Sequence, residues 1–246
     1  MRVDAQIGGY DAVYYPALQM ALQGSRALAV TDCLNFGNPQ KKEIMSEFVA
    51  AVEAIAEASK KLDAPVISGN VSFYNETQTQ NIISTPATGL IGIRNDVEDL
   101  WSNNFTISQD SILSIKYNWV ESYIGIGGEE FRLNSEAAPD LFILQLQKMG
   151  EELRKDKDLF SSISAIRSIA LGGVKVTLEK MQSEKITSQI LPNLPDTEIN
   201  KDCFYGFLLT TCKEKALITW LANYFSDLPD AKGILKIEVV GATRDR

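Results

Sequence analysis

Apolar and polar positions in the first third of the chain follow two different periods. Leu28 to Thr31 is a short apolar, partly β-branched run ending at the turn-prone Asp32, which predicts a strand. Glu43 to Leu62 carries Phe48, Val52, Ile55, Ala56 and Ser59 at helical spacing, which predicts a long amphipathic helix. Ala64 to Ser68 opens a second strand; its end carries Gly69-Asn70 and continues into Val71-Ser72-Phe73-Tyr74. Thr88 to Ile93 is a third strand. Tyr10 to Gln23 has a helical pattern in which Pro16 must bend the helix or sit in its first turn.

The same alternation continues downstream. Ile112 to Tyr117, Phe204 to Thr211 and Ile234 to Val240 read as strands, and Asp140 to Arg154, Val174 to Lys185 and Lys213 to Phe225 as helices. Ile190 to Asp202, with Pro192 and Pro195, reads as a mobile loop. The polar stretch Val97 to Asp110 is the candidate boundary. Strands interleaved with helices indicate an α/β (α+β) chain of two domains, 1–105 and 106–246. No repeat at a period of 20–50 residues is visible.

Composition narrows the function more than the fold. With a net charge of −8 the chain lacks the basic surface that nucleic acid requires, and Lys41-Lys42 and Lys60-Lys61 read as solvated helix positions. No apolar run reaches the roughly 18 residues that span a bilayer, and no basic-then-apolar leader is present, so neither membrane nor export is indicated. Cys33, Cys203 and Cys212 form no metal or disulfide spacing, which suits a reduced, cytoplasmic setting. Cys203 and Cys212 read as small buried hydrophobes beside a strand. The sequence contains no histidine, so a mechanism that needs one must take it from another polypeptide.

Two segments carry candidate chemistry. Val30-Thr31-Asp32-Cys33-Leu34-Asn35-Phe36-Gly37-Asn38-Pro39 sets an acid, amides, a glycine and a proline after a strand, where α/β folds bind ligands. Asp32 suits Mg²⁺ or a ribose hydroxyl, and Asn35 and Asn38 a phosphate or a base; equally, the segment reads as a plain strand–loop–helix turn. Ser68-Gly69-Asn70-Val71-Ser72-Phe73-Tyr74-Asn75-Glu76 offers close backbone approach at Gly69 and side-chain oxygens for Mg²⁺ or sugar, or else a bulged strand facing solvent.

Taken together, LNFGNP, a helix, PVISGNVSFYNE, Thr85-Pro86 and a glycine-rich strand resemble the second half of the synthetase component of phosphoribosylformylglycinamidine synthases, in the aminoimidazole ribonucleotide synthetase superfamily. The resemblance implies an ATP-binding-type N-terminal domain, truncated at its start, followed by an α/β C-terminal domain. It implies an ATP-, Mg²⁺- and ammonia-dependent ligase that converts formylglycinamide ribonucleotide to its amidine in purine biosynthesis. Carried over position by position, it makes Asp32 and Gly69 nucleotide contacts, Asn70 a ligand of nucleotide-bound Mg²⁺ and Ser72 a substrate contact, with no catalytic residue in this chain. The implied partners are the N-terminal half of the synthetase, which holds the family's histidine, a glutaminase supplying ammonia, and the ribonucleotide substrate. Alone, the chain is expected to be inactive.

The chain departs from the family in two places. Val13-Tyr14-Tyr15-Pro16-Ala17-Leu18-Gln19 replaces a run that carries an acid, an Arg and an Asn. Ile166 to Val174 keeps the turn glycines of A-H-D-V-S-D-G-G-L without its histidine or aspartates. Gly127-Gly128-Glu129-Glu130-Phe131 resembles the family's G-G-S-E-Y element. A different class of function, a non-catalytic scaffold half holding a structural nucleotide or none, fits the erosion after residue 160. If the first domain lacks a strand, an exposed sheet edge would also favour self-association.

Overall fold

A computed structural model describes residues 4–78, 80–94, 100–118, 120–122, 132–133, 137–200, 203, 205–229 and 234–246. Its elements are α1 (Ala5–Ala21), β1 (Arg26–Asn35), α2 (Lys42–Lys61), β2 (Val66–Ser72), β3 (Glu76–Thr77), β4 (Gln80–Asn81), β5 (Thr85–Ile93), β6 (Ser111–Tyr117), β7 (Val120–Ser122), β8 (Arg132–Leu133), α3 (Pro139–Leu153), α4 (Lys157–Ser161), β9 (Ile163–Ser168), α5 (Gly173–Met181), β10 (Ile186–Ile190), α6 (Asp196–Ile199), β11 (Gly206–Thr211), α7 (Glu214–Tyr224) and β12 (Leu235–Asp245). They form two compact units: residues 1–20, 25–95 and 120–133, and residues 21–24, 96–119 and 134–246.

In the first unit β1 lies between β2, parallel to it, and β5, antiparallel. Helix α1 starts earlier than its apolar pattern suggests, because the Asp4 carboxylate accepts from Ile7 N at 2.7 Å and satisfies one of the free N–H groups of the first turn. The helix then continues straight through Pro16, which is neither in the first turn nor at the end. Proline has no N–H to give to the carbonyl of Ala12, four residues back. The Thr88 hydroxyl of β5 donates to that carbonyl instead. A second tie joins α1 to α2: Tyr10 OH donates to Glu57 Oε2 at 2.5 Å, and burial, with Glu57 beside it, pushes the phenol up to about 12.

The second unit holds a five-stranded antiparallel sheet in the order β10-β12-β6-β11-β9. Helices cover both of its faces, and β6 and β11 are accordingly buried nearly throughout. On one face Phe142 of α3 stacks on Tyr117 at 4.6 Å and meets Phe225, after α7, at 5.4 Å. On the other, Ile112 and Leu208 pack with Val174 and Leu178 of α5 and Ile199 of α6. Asp110 is buried here; Ser164 donates to its Oδ2 at 2.5 Å, and burial pushes the carboxyl up.

Several expectations change. β1 extends to Asn35, so Asp32 lies within the strand and not in the turn after it. The segment expected as a loop from Ile190 carries α6, whose Ile199 is buried. Helix α5 stops at Met181, and β9 and β10 add strands that the apolar pattern did not reveal. Residues 100–105 group with the second unit, where Phe105 joins the core. Cys212 is exposed, and only Cys203 packs against a core.

Replacing Thr88 with Val keeps the side-chain shape and removes the donor to Ala12. The expected cost is about 1–3 kcal/mol, from leaving a carbonyl unpaired. A chemical denaturation series checks it, and an unchanged midpoint would mean that the carbonyl finds another donor.

Candidate functional site

The site is built on the β1–β2 pair. Register sets Thr31 opposite Ser68, Asp32 opposite Gly69, Cys33 opposite Asn70 and Asn35 opposite Ser72. Successive side chains of a strand point to opposite faces, so these pairs divide into two groups. Asp32 and Gly69 share the face covered by α1, since Asp32 is also opposite Thr88, the residue that bonds to that helix. Thr31, Cys33, Asn35, Ser68, Asn70 and Ser72 share the other face, where Thr31 Oγ1 donates to Ser68 Oγ at 3.4 Å.

Gly69 leaves room for the Asp32 carboxylate. A Cβ there would come within 2.1 Å of Asp32 Oδ1, so no other residue fits without moving the acid. Asp32 is half-buried, and among the described residues no hydrogen bond or ion pair reaches its carboxylate. Burial alone pushes its pKa up. An acid in this condition is disposed to accept a ribose hydroxyl or to face a cation.

At the carboxyl end of the pair, the turn after β1 and the turn after β2 interlock. Phe36 N donates to Ser72 O at 2.9 Å, and Tyr74 N to Gly37 O at 2.9 Å. Asn81 of β4 receives Asn38 N at 2.9 Å, and Gly37 lies so close to Asn81 that a Cβ would be 2.4 Å from Oδ1. Asn38 itself is engaged locally, its Oδ1 accepting from Gln40 N at 3.0 Å, and Asn35 Nδ2 donates to Cys33 O at 3.0 Å. Both amides therefore serve the turn. Phe36, Phe48 and Phe73 form an aromatic cluster under this end, with Phe36–Phe48 centroids 5.2 Å apart.

The four residues singled out from the sequence thus lie on one strand pair but not on one surface: Asp32 and Gly69 on the helix side, Asn70 and Ser72 on the open side. Asn70 is exposed, and among the described residues no hydrogen bond reaches its side chain. Asn75, whose motif offers it as an oxygen for Mg²⁺ or sugar, donates to the turn carbonyls Phe36 O and Ser72 O. Asn81, which holds the other turn, was not identified in advance, and its signal was only that it is an amide close to a turn. Among the described residues no cluster of three or more His, Cys, Asp or Glu side chains forms a metal cage, and no helix is long and apolar enough to cross a membrane. Ile166 to Val174 forms the end of β9, a turn with Gly172 at φ +84° and Gly173 at φ +64°, and the start of α5. Gly127 to Phe131 lies outside the described residues.

Residues 1–93 match the family described as AIR synthase related protein, N-terminal domain. The phosphoribosylformylglycinamidine synthase subunit PurL of Moorella thermoacetica is 35% identical over 180 residues, which is 72% of this chain and 24% of that protein. The chain therefore spans about a quarter of the length of the curated relatives it matches. Among solved structures, phosphoribosylformylglycinamidine synthase II of Thermotoga maritima superposes with a TM-score of 0.64 at 18% identity, covering 98% of this chain and 32% of that one. The hydrogenase maturation protein HypE of E. coli gives 0.60 at 15% identity, covering 97% and 74%. These two likenesses concern the fold.

Because the folded pKa of Asp32 lies above its unfolded value, its contribution to stability is fully present below the unfolded pKa and is lost as pH rises through the folded one. The Asp32→Asn chain should therefore melt close to wild type at about pH 4, near the unperturbed carboxylate value. Its advantage should grow towards neutrality. Melting curves across that range check it, and a constant offset would mean that the acid is not desolvated.

Proposed function

The chain belongs to the AIR synthase superfamily, and we propose that it is the part of a phosphoribosylformylglycinamidine synthetase that supplies nucleotide, Mg²⁺ and ribonucleotide contacts. The observation that carries this is the half-buried Asp32 carboxylate, unpartnered among the described residues and seated over Gly69 in the strand pair that also bears Asn70 and Ser72. Asp32 and Gly69 receive ATP: the missing Cβ admits the acid, and the acid accepts from the nucleotide. Asn70 offers one neutral oxygen. That suits a Mg²⁺ ion whose remaining ligands are phosphates and water, which is how this ion is ordinarily held. Bound Mg²⁺ would neutralise charge on the transferring phosphoryl group. Ser72 meets the ribonucleotide.

The reaction assigned is the ATP-dependent amidination of formylglycinamide ribonucleotide in purine biosynthesis, in the cytoplasm. Without histidine, the chain contributes binding groups to an assembly and does not turn over alone. Its partners are a histidine-bearing first half and a glutaminase that supplies ammonia. The first unit leaves a surface for the first half: β2 pairs on one side only among the described residues, and Ile67, Val71, Ile91 and Ile93 are exposed. The same surface makes the isolated chain self-associate. Light scattering should report a mass above that of the monomer, and a clean monomer would remove this part of the reading.

A second reading, a non-catalytic half that holds the assembly together, is favoured by one feature. The β9–α5 turn keeps its two glycines but presents exposed Leu171 where the family's motif carries an aspartate. Reconstitution separates the two. The chain mixed with a histidine-containing first half should release ADP dependent on formylglycinamide ribonucleotide and ammonia. Asn70→Ala should lower that rate about tenfold or more, the scale for losing one contact to a charged group. A stable complex without turnover would favour the scaffold.

A further inference from the structure

The side-chain amide of Asn75 binds both turns at the end of the β1–β2 pair. Its Nδ2 donates to Phe36 O at 2.9 Å and to Ser72 O at 2.9 Å. A primary amide has two N–H groups, so these two carbonyls use both. The Ser72 hydroxyl sits between the two ends of that amide, 3.2 Å from Oδ1, to which it donates, and 3.1 Å from Nδ2. Since both N–H groups already point at carbonyls 2.9 Å away, Oδ1 is the partner that takes the hydroxyl proton. With its one proton directed inward, Ser72 Oγ keeps only lone pairs for whatever approaches from outside.

The backbone around Asn75 requires the amide to stay in place. Tyr74 is in the left-handed region at φ +58°, a conformation that costs a non-glycine residue energy and persists only where surrounding bonds fix it. Here those bonds are Tyr74 N to Gly37 O at 2.9 Å and Asn75 N to Phe36 O at 3.2 Å. Asn75 therefore joins the β1 turn, the β2 turn and the Ser72 hydroxyl through a single side chain.

Resting on the reading of Ser72 as a ribonucleotide contact, we infer that Asn75 is a positioning residue that presents Ser72 as a hydrogen-bond acceptor. Ser72 then meets an N–H or O–H group of the ligand, such as an amide N–H or a ribose hydroxyl, and does not meet a phosphate oxygen. The ligand discriminated for at this point is one that carries a donor.

A double-mutant cycle on the reconstituted assembly tests this, with formylglycinamide ribonucleotide as the titrant and its dissociation constant as the readout. Asn75→Ala should weaken binding about tenfold when Ser72 is present and less than about twofold in the Ser72→Ala background, since contacting residues couple and independent ones add. An equal loss in both backgrounds would overturn the inference, because Asn75 would then act without Ser72. Asn75→Asp keeps the acceptor for the hydroxyl and removes both N–H donors. It should lower the melting temperature while holding affinity within about threefold of wild type, and binding as weak as that of Asn75→Ala overturns the inference as well. If wild-type assembly binds the ribonucleotide but Ser72→Ala is silent, the underlying assignment of Ser72 fails, and this inference with it.

Discussion

The candidate site depends on the alternation of side chains along an extended backbone. Once β1 and β2 pair in parallel with Asp32 beside Gly69, the faces of Thr31, Cys33, Asn70 and Ser72 follow without further choice. An acid therefore faces the α1 side of the sheet, and an amide and a hydroxyl face the open side. No side-chain rotation can gather all of them at one point. A bound molecule that uses both groups must reach around the end of the strands, where the two turns interlock, or the two faces must bind different parts of the ligand set.

The two units treat their sheets differently, and the difference bears on function. In the second unit helices cover both faces, so the central strands are buried nearly throughout, and the buried Asp110 carboxylate accepts from Ser164. In the first unit β2 is exposed almost along its whole length. A strand rich in Val, Ile, Asn and Ser without cover is poorly explained by the stability of the isolated unit, since burial of apolar area is what ordinarily stabilises a sheet. It is better explained as a surface with a use, and the residues with candidate chemistry are on it and directly beneath it.

Much of this was legible in the sequence because local signals agreed. Helix α2 and strand β6 match their apolar periods within a few residues, and Asp32 and Gly69 stood out from the motif that contains them. The length of β1 was not legible: Asp32, Cys33 and Asn35 break the apolar run, yet the strand continues because Cys33 and Asn35 lie on its open face and Gly69 leaves room for Asp32 on the other. The division of the site between two faces could not be read either, since the β1–β2 register shifts between Val30 and Thr31, and no one-dimensional pattern marks such a shift. The positioning role of Asn75, which its motif offered only as an oxygen for a ligand, and that of Asn81 escaped for a related reason. Their partners are 39 and 43 positions away, so their roles exist only after the strands have paired. β9 and β10 were hidden by short, mixed sequences that acquire strand character from their neighbours.

The interior proline of α1 has a consequence for how the chain finds its pairing. Thr88 is flanked by Ala87 and Gly89, neither of which has a side-chain donor. Were β5 to slip by one residue against α1, the carbonyl freed by Pro16 would face a methyl group or nothing, and would be left part-buried without that partner. An apparent defect in a helix thereby discriminates against the neighbouring misaligned sheets. The proline works as an alignment check on a segment remote from it in sequence.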